Sequence, residues 1–121
     1  MNQPTGDVAP DVLDFEDLKA RCLGNMALVE RVLSKFTGQL DQDLDALEAA
    51  IHSGDAPEAA QLAHRIKGIA ASVAARSLFD NASSTEQRAL DNGLAELPEH
   101  LNRLRGERSR LVATLRETGR S

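Results

Sequence analysis

The residues best suited to chemistry lie in one segment, Ala60-Gln61-Leu62-Ala63-His64-Arg65-Ile66-Lys67-Gly68-Ile69-Ala70-Ala71-Ser72-Val73. Ala59, Leu62, Ala63, Ile66, Ala70 and Val73 recur at the three- and four-residue steps of a helix's buried stripe. At about 100° per residue, His64 lies about 140° from the centre of that stripe and faces solvent. Ala60, Lys67, Gly68 and Ala71 share its face, with Gln61 alongside, and of the first four only Lys67 has a long side chain. The imidazole therefore stands clear of its neighbours. A glycine inside a helix costs on the order of 1 kcal/mol relative to alanine. At Gly68, one turn past the histidine, the absent side chain would let the backbone of another protein approach closely. Lys67 is within reach of an anion carried on the imidazole and would offset its charge. An exposed nucleophile, a neighbouring cation and a cleared approach are what phosphoryl transfer between two proteins requires.

That segment must be held by helices. Asp14 and the acids after it mark the start of a short helix running to about Cys22 and stopped by Gly24. Val29, Val32, Leu33, Phe36, Leu40, Leu44, Leu47 and Ile51 then form one long apolar stripe, ended at His52-Ser53-Gly54. Asp55 and Pro57 restart the chain as a helix from Ala56 to about Val73. A fourth segment, Arg76 to Leu90, is closed by Asp91-Asn92-Gly93, and a last helix starts near Leu97-Pro98-Glu99 and ends at Gly119. There is no strand-like alternation and no repeat. The expected fold is all-α, an antiparallel up-down four-helix bundle with a short additional N-terminal helix as a lid. Residues 1–12 read as a flexible N-terminal tail, 13–118 as the bundle and 119–121 as a C-terminal tail.

Composition narrows the function. The chain has 121 residues, room for one compact domain, and a net charge of −5, which does not favour a nucleic-acid surface. Aromatics make up 2%, too few for base-stacking platforms. The lone cysteine, Cys22, excludes an internal disulfide and a thiolate metal cluster and reads as a small, largely buried thiol. No apolar run is long enough to span a membrane and the first residues are polar and acidic, so the expected location is cytoplasmic. No Gly-rich nucleotide loop or clustered acidic metal site is present, so the domain is expected to be neither a kinase nor a metal binder. His52 is accounted for by a helix C-terminus and His100 by solvent exposure. Asp41, Asp43, Asp45 and Glu48 read as a solvated face, and Arg103, Arg105, Arg108 and Arg110 as solvated residues with local ion pairs.

His64-x-x-Lys67-Gly68, set in the third helical segment's Leu62–Gly68 run after the Gly54-Asp55 turn, resembles the signature of histidine-containing phosphotransfer (HPt) domains, and the likeness covers about residues 13–117. The resemblance implies a four-helix bundle in which His64 carries a phosphoryl group on Nε2 between receiver-domain aspartates in a two-component phosphorelay. It makes Lys67 the phosphoryl neighbour and Gly68 the clearance residue. The domain would be a phosphohistidine carrier without autonomous kinase activity. Its partner would be the receiver domain of a response regulator or hybrid histidine kinase, which would bring the Mg²⁺. A monomer is expected, since no helix carries a second apolar stripe. Relatives commonly have Gly-Ala where this chain has Ala74-Ala75, which leaves the turn after the third segment open. They also place a polar helper on the next helix, for which Ser83, Ser84, Glu86 and Gln87 all qualify, although an inward Glu86 would repel a phosphoryl group. The alternative is a non-catalytic helical adaptor that binds a signalling partner through the same face. It explains the small residues but gives no reason for a histidine beside a lysine.

Overall fold

The structure, a computed structural model, describes residues 12–118. Five α-helices and one short 3-10 turn make up the ordered elements: α1 (Phe15–Arg21), α2 (Met26–His52), α3 (Ala56–Ser72), α4 (Arg76–Leu90), the 3-10 turn (Leu94–Glu96) and α5 (Leu97–Thr118). No strand occurs among the described residues. The tails, residues 1–11 and 119–121, and the stop expected at Gly119 lie outside them. Val12, assigned to the tail by its composition, is buried with Leu13 in the core.

Helices α1, α2 and α3 start where a side chain satisfies an orphan amide of the first turn. The carboxylates of Asp14 and Asp55 accept from the amides of Asp17 and Glu58, both at 3.1 Å, and the Asn25 side chain accepts from Leu28 at 3.1 Å. Gly54, at φ +72°, reverses the chain after α2, as the sequence indicated. Helix α4 has no side-chain cap at Ala75. Helix α5 runs unbroken through Gly106.

The four long helices enclose one core: α2 packs on α3 and α5, and α4 packs on the same two. Leu40, Leu44 and Leu47 from α2, Ile66 from α3, and Leu97, Leu104 and Leu111 from α5 are the large side chains at its centre. Burying each leucine contributes roughly 1.5–3 kcal/mol. The buried face of α3 is mostly alanine (Ala59, Ala63 and Ala70), so α4 can approach closely and its flanking side chains reach the exposed face of α3. Short α1 lies across the far end of that pair. The Asp14 amide donates to Ala74 O at 2.9 Å, and Arg21 donates to Ala71 O and Ser72 O at 2.9 and 3.3 Å. Arg21 thus adds a side-chain donor to the carbonyls that end α3.

The turn between α3 and α4 resolves the Ala74-Ala75 departure. Ala74 has φ +60°, the left-handed conformation that glycine adopts without cost, and Ala75 N–H closes the turn onto Ala70 O at 2.9 Å. The turn is made with an alanine in the strained position.

Candidate functional site

The periodic stripe of α3 is buried as its spacing requires: Ala59, Leu62, Ala63, Ile66, Ala70 and Val73 all face the core. On the opposite side the His64 side chain is 67% exposed, with Gln61, Gly68 and Ala71 also open to solvent. Ala60 is the exception. Expected on the partner-facing side, it is buried at 6%, because α3 is flanked by both α2 and α4 and its covered arc is wider than a single stripe. A Cβ built on Gly68 meets no heavy atom within 4 Å. Nothing among the described residues needs that space.

Of Ser83, Ser84, Glu86 and Gln87 on α4, Glu86 is the one whose side chain contacts His64. Its side chain, 19% exposed, sits between the two basic groups of α3, with Oε2 3.0 Å from His64 Nδ1 and Oε1 2.8 Å from Lys67 Nζ. The Lys67 hydrogen bond, and after it the His64 contact, hold the Glu86 carboxyl below the usual carboxylate range against the opposing effect of burial. An ionised carboxylate can only accept, so Nδ1 carries the proton and donates to it. Neutral His64 is then fixed as the tautomer whose Nε2 has a free lone pair. Ser83 is half-buried, Ser84 is exposed, and Gln87 is exposed and donates to Asp91 at 3.3 Å. The spacing along α4 places Glu86 beside the apolar face but does not show which side chain of α3 it meets. Glu86 is four residues past buried Ala82 and seven past Phe79, on the flank of α4 that borders its apolar face. Thr85, a polar residue at a fully buried position, obscured that register.

Arg65, next to the histidine, points the other way. Its Nη2 donates to Asp43 Oδ1 at 2.6 Å, and Gln39 Nε2 donates to the same oxygen at 3.1 Å. The hydrogen bond to Asp43 is the main cause that raises the Arg65 pKa further. Asp43 is fully buried and its Oδ2 has no hydrogen-bond partner, so it is not part of a solvated face. Its neighbours are engaged too: Asp41 binds Arg108, and Asp45 and Glu48 bind Arg105, across the α2–α5 seam. Of Arg103, Arg105, Arg108 and Arg110, two form local pairs, Arg103–Glu99 and Arg110–Glu107, and the other two reach across to α2 because α5 lies against it.

His52 sits in the last turn of α2, its Nδ1 3.2 Å from Glu48 O. His100 is not simply solvent-exposed. It is half-buried beside Thr85 Oγ1 at 3.4 Å, and burial, then Arg103 and Arg88, lowers its pKa. Cys22 is buried. Among the described residues no group of three or more His, Cys, Asp or Glu side chains is arranged to hold a metal ion, and no helix is long and apolar enough to cross a membrane.

The arrangement matches a known family. A family model described as "Hpt domain" covers residues 31–114. This chain belongs to the Hpt domain family. Hpt domains are phosphocarrier modules rather than kinases, and the matched residues include all of α3 and α4. The chain is also 28% identical over 85 residues to the virulence sensor protein BvgS of Bordetella bronchiseptica, and equally to that of Bordetella parapertussis. The match takes in 70% of this chain and 7% of each sensor protein. No solved structure matches it.

Proposed function

We propose that this Hpt domain relays a phosphoryl group between receiver-domain aspartates, with Nε2 of His64 as the carrier and an antiparallel up-down bundle as the scaffold. The Nε2 lone pair attacks the phosphorus of a receiver's aspartyl phosphate. The N–P bond forms, the P–O bond to the aspartate breaks, and its electron pair leaves with the carboxylate. The Nδ1 proton stays in place, so the ring becomes cationic as the bond forms, and Glu86 is the counter-ion already 3.0 Å away. Delivery to a second receiver is the reverse. Phosphoryl transfer depends mainly on alignment and charge neutralisation. Alignment comes from the rigid α3 face and the gap at Gly68, and neutralisation from Lys67 and the Mg²⁺ of the docked receiver.

The observation that carries this reading is the Nδ1–Glu86 contact, which in the neutral ring places the free lone pair on the outward nitrogen. An adaptor would have no use for a buried-side carboxylate that fixes an exposed ring's tautomer. The domain works in this reading as a cytoplasmic monomer whose partners are the receivers of response regulators or hybrid kinases, the setting that its likeness to a sensor protein supports.

The test is transfer from a phosphorylated receiver of the source organism. Wild type should acquire acid-labile, alkali-stable phosphate, and His64→Gln none. Equal labelling of the two proteins, or no labelling of wild type by any receiver, would reject the relay.

A further inference from the structure

We infer that Glu86 limits the lifetime of the phosphorylated domain, because it and the phosphoryl group compete for the single ammonium of Lys67; this rests on the carrier role of His64. Lys67 Nζ is held 2.8 Å from Glu86 Oε1, and the same carboxylate is held at the Nδ1 edge of the ring. Nε2 points away from that edge. An ammonium seated against Glu86 must be shared between that carboxylate and a group on Nε2, and the more it neutralises the phosphoryl oxygens the less it serves Glu86. The other cation adjoining the ring in sequence, Arg65, is committed to buried Asp43 at 2.6 Å. Glu86 thus withholds part of the charge that would stabilise the phosphoryl group.

The carboxylate acts in the same direction through the ring. By holding the proton on Nδ1 it keeps the phosphorylated imidazole cationic. When water attacks the phosphorus, the N–P bond breaks, its electron pair returns to Nε2, and the ring departs as a neutral imidazole. The products are that imidazole and dihydrogen phosphate. A neutral leaving group departs more readily than an imidazolate. Both effects make the phosphoryl group a short-term load, suited to onward transfer.

The experiment loads the isolated domain with phosphoramidate, removes the reagent and follows phosphate loss at neutral pH, with His64→Gln as the blank. Glu86→Gln keeps a carbonyl oxygen to accept from Nδ1 but loses the charge, and its half-life should lengthen several-fold. Lys67→Ala should shorten the half-life. The central expectation is that the lengthening by Glu86→Gln is clearly smaller in the Lys67→Ala background. Glu86→Ala, which frees Lys67 without offering any acceptor, should also outlast wild type. An unchanged or shorter half-life in Glu86→Gln, the same proportional gain with and without Lys67, or a gain in Glu86→Gln absent from Glu86→Ala would each overturn the competition. No receiver is involved, so such a result leaves the relay to its own assay. Normal decay here with no transfer from any receiver would count against the relay instead.

Discussion

Two faces of the bundle use the same kinds of charged side chain to opposite ends. Along the α2–α5 seam, Arg108 binds both oxygens of Asp41 at 2.6 and 3.0 Å, and Arg105 binds Glu48 at 2.6 Å and Asp45 at 3.4 Å. Three carboxylates serve two guanidinium groups, and neither guanidinium is left without an anion. On the α3–α4 face one carboxylate, Glu86, serves both an ammonium and an imidazole, and the second nitrogen of that imidazole points into solvent. The difference is one of completion. The seam's cations have carboxylates to spare, whereas the site's ammonium and imidazole share a single one. Ion pairs on a surface say little by themselves about function; the ratio of donors to acceptors says more.

The comparison breaks most readily at Gly68. If the open space above it belongs to a docked receiver, Gly68→Gln should slow receiver-to-domain transfer by roughly tenfold to a hundredfold, since small misplacements of reacting groups cost that much. The fold should not suffer, because glutamine favours a helix over glycine by several tenths of a kcal/mol or more. Gly106, in α5, is equally free of neighbours. Gly106→Gln is therefore the control, with a similar gain in stability by thermal melting and unchanged transfer. Equal transfer by the two variants would mean that the face of α3 is not the one that docks.

The turn joining α3 to α4 sharpens the contrast in another way, because it sets the register that brings Glu86 to His64. Ala74 occupies a left-handed conformation that costs a residue with a Cβ about 1–2 kcal/mol. Glycine removes that strain but gives the unfolded chain more freedom, offsetting about 0.4–1 kcal/mol. Ala74→Gly should therefore stabilise the domain by a net amount of about 0.5–1 kcal/mol in denaturant unfolding and leave transfer unaltered. Loss of stability would mean that the alanine methyl has a packing role that outweighs its strain.

Much of this was legible beforehand, and the limits have physical causes. Helix α2 could be read from eight apolar residues at helical spacing, and α3 from Asp55, Pro57 and an alanine stripe, because local caps and periodicity agree with the packing they produce. His64 and Gly68 were legible because a side chain far from the stripe must be exposed whatever packs on the other side. Ala60 was misjudged because burial at the edge of a stripe depends on how many neighbours a helix has, and α3 has two. Asp43 was misjudged because its partner Arg65 comes from another helix, 22 positions away. The Glu86 bridge also spans 22 positions, from His64. Pairings of that kind follow from the way helices dock, and one helix's spacing does not contain them.

The smallest expected effect tests the other side of the comparison. Arg108 is more than one-third exposed, and so is Asp41, so their pairing is screened by solvent although its geometry is bidentate. The Asp41 hydrogen bond raises the Arg108 pKa above a value that is already high, which alters no charge near neutral pH. Arg108→Ala should therefore cost no more than about 1 kcal/mol, a cost that shrinks in high salt. Transfer to and from receivers should stay at the wild-type rate, since the seam lies on α2 and α5 and the reacting ring on α3. A transfer defect out of proportion to that small loss of stability would mean that receivers also read the seam, and the division between a finished face and an open one would no longer hold.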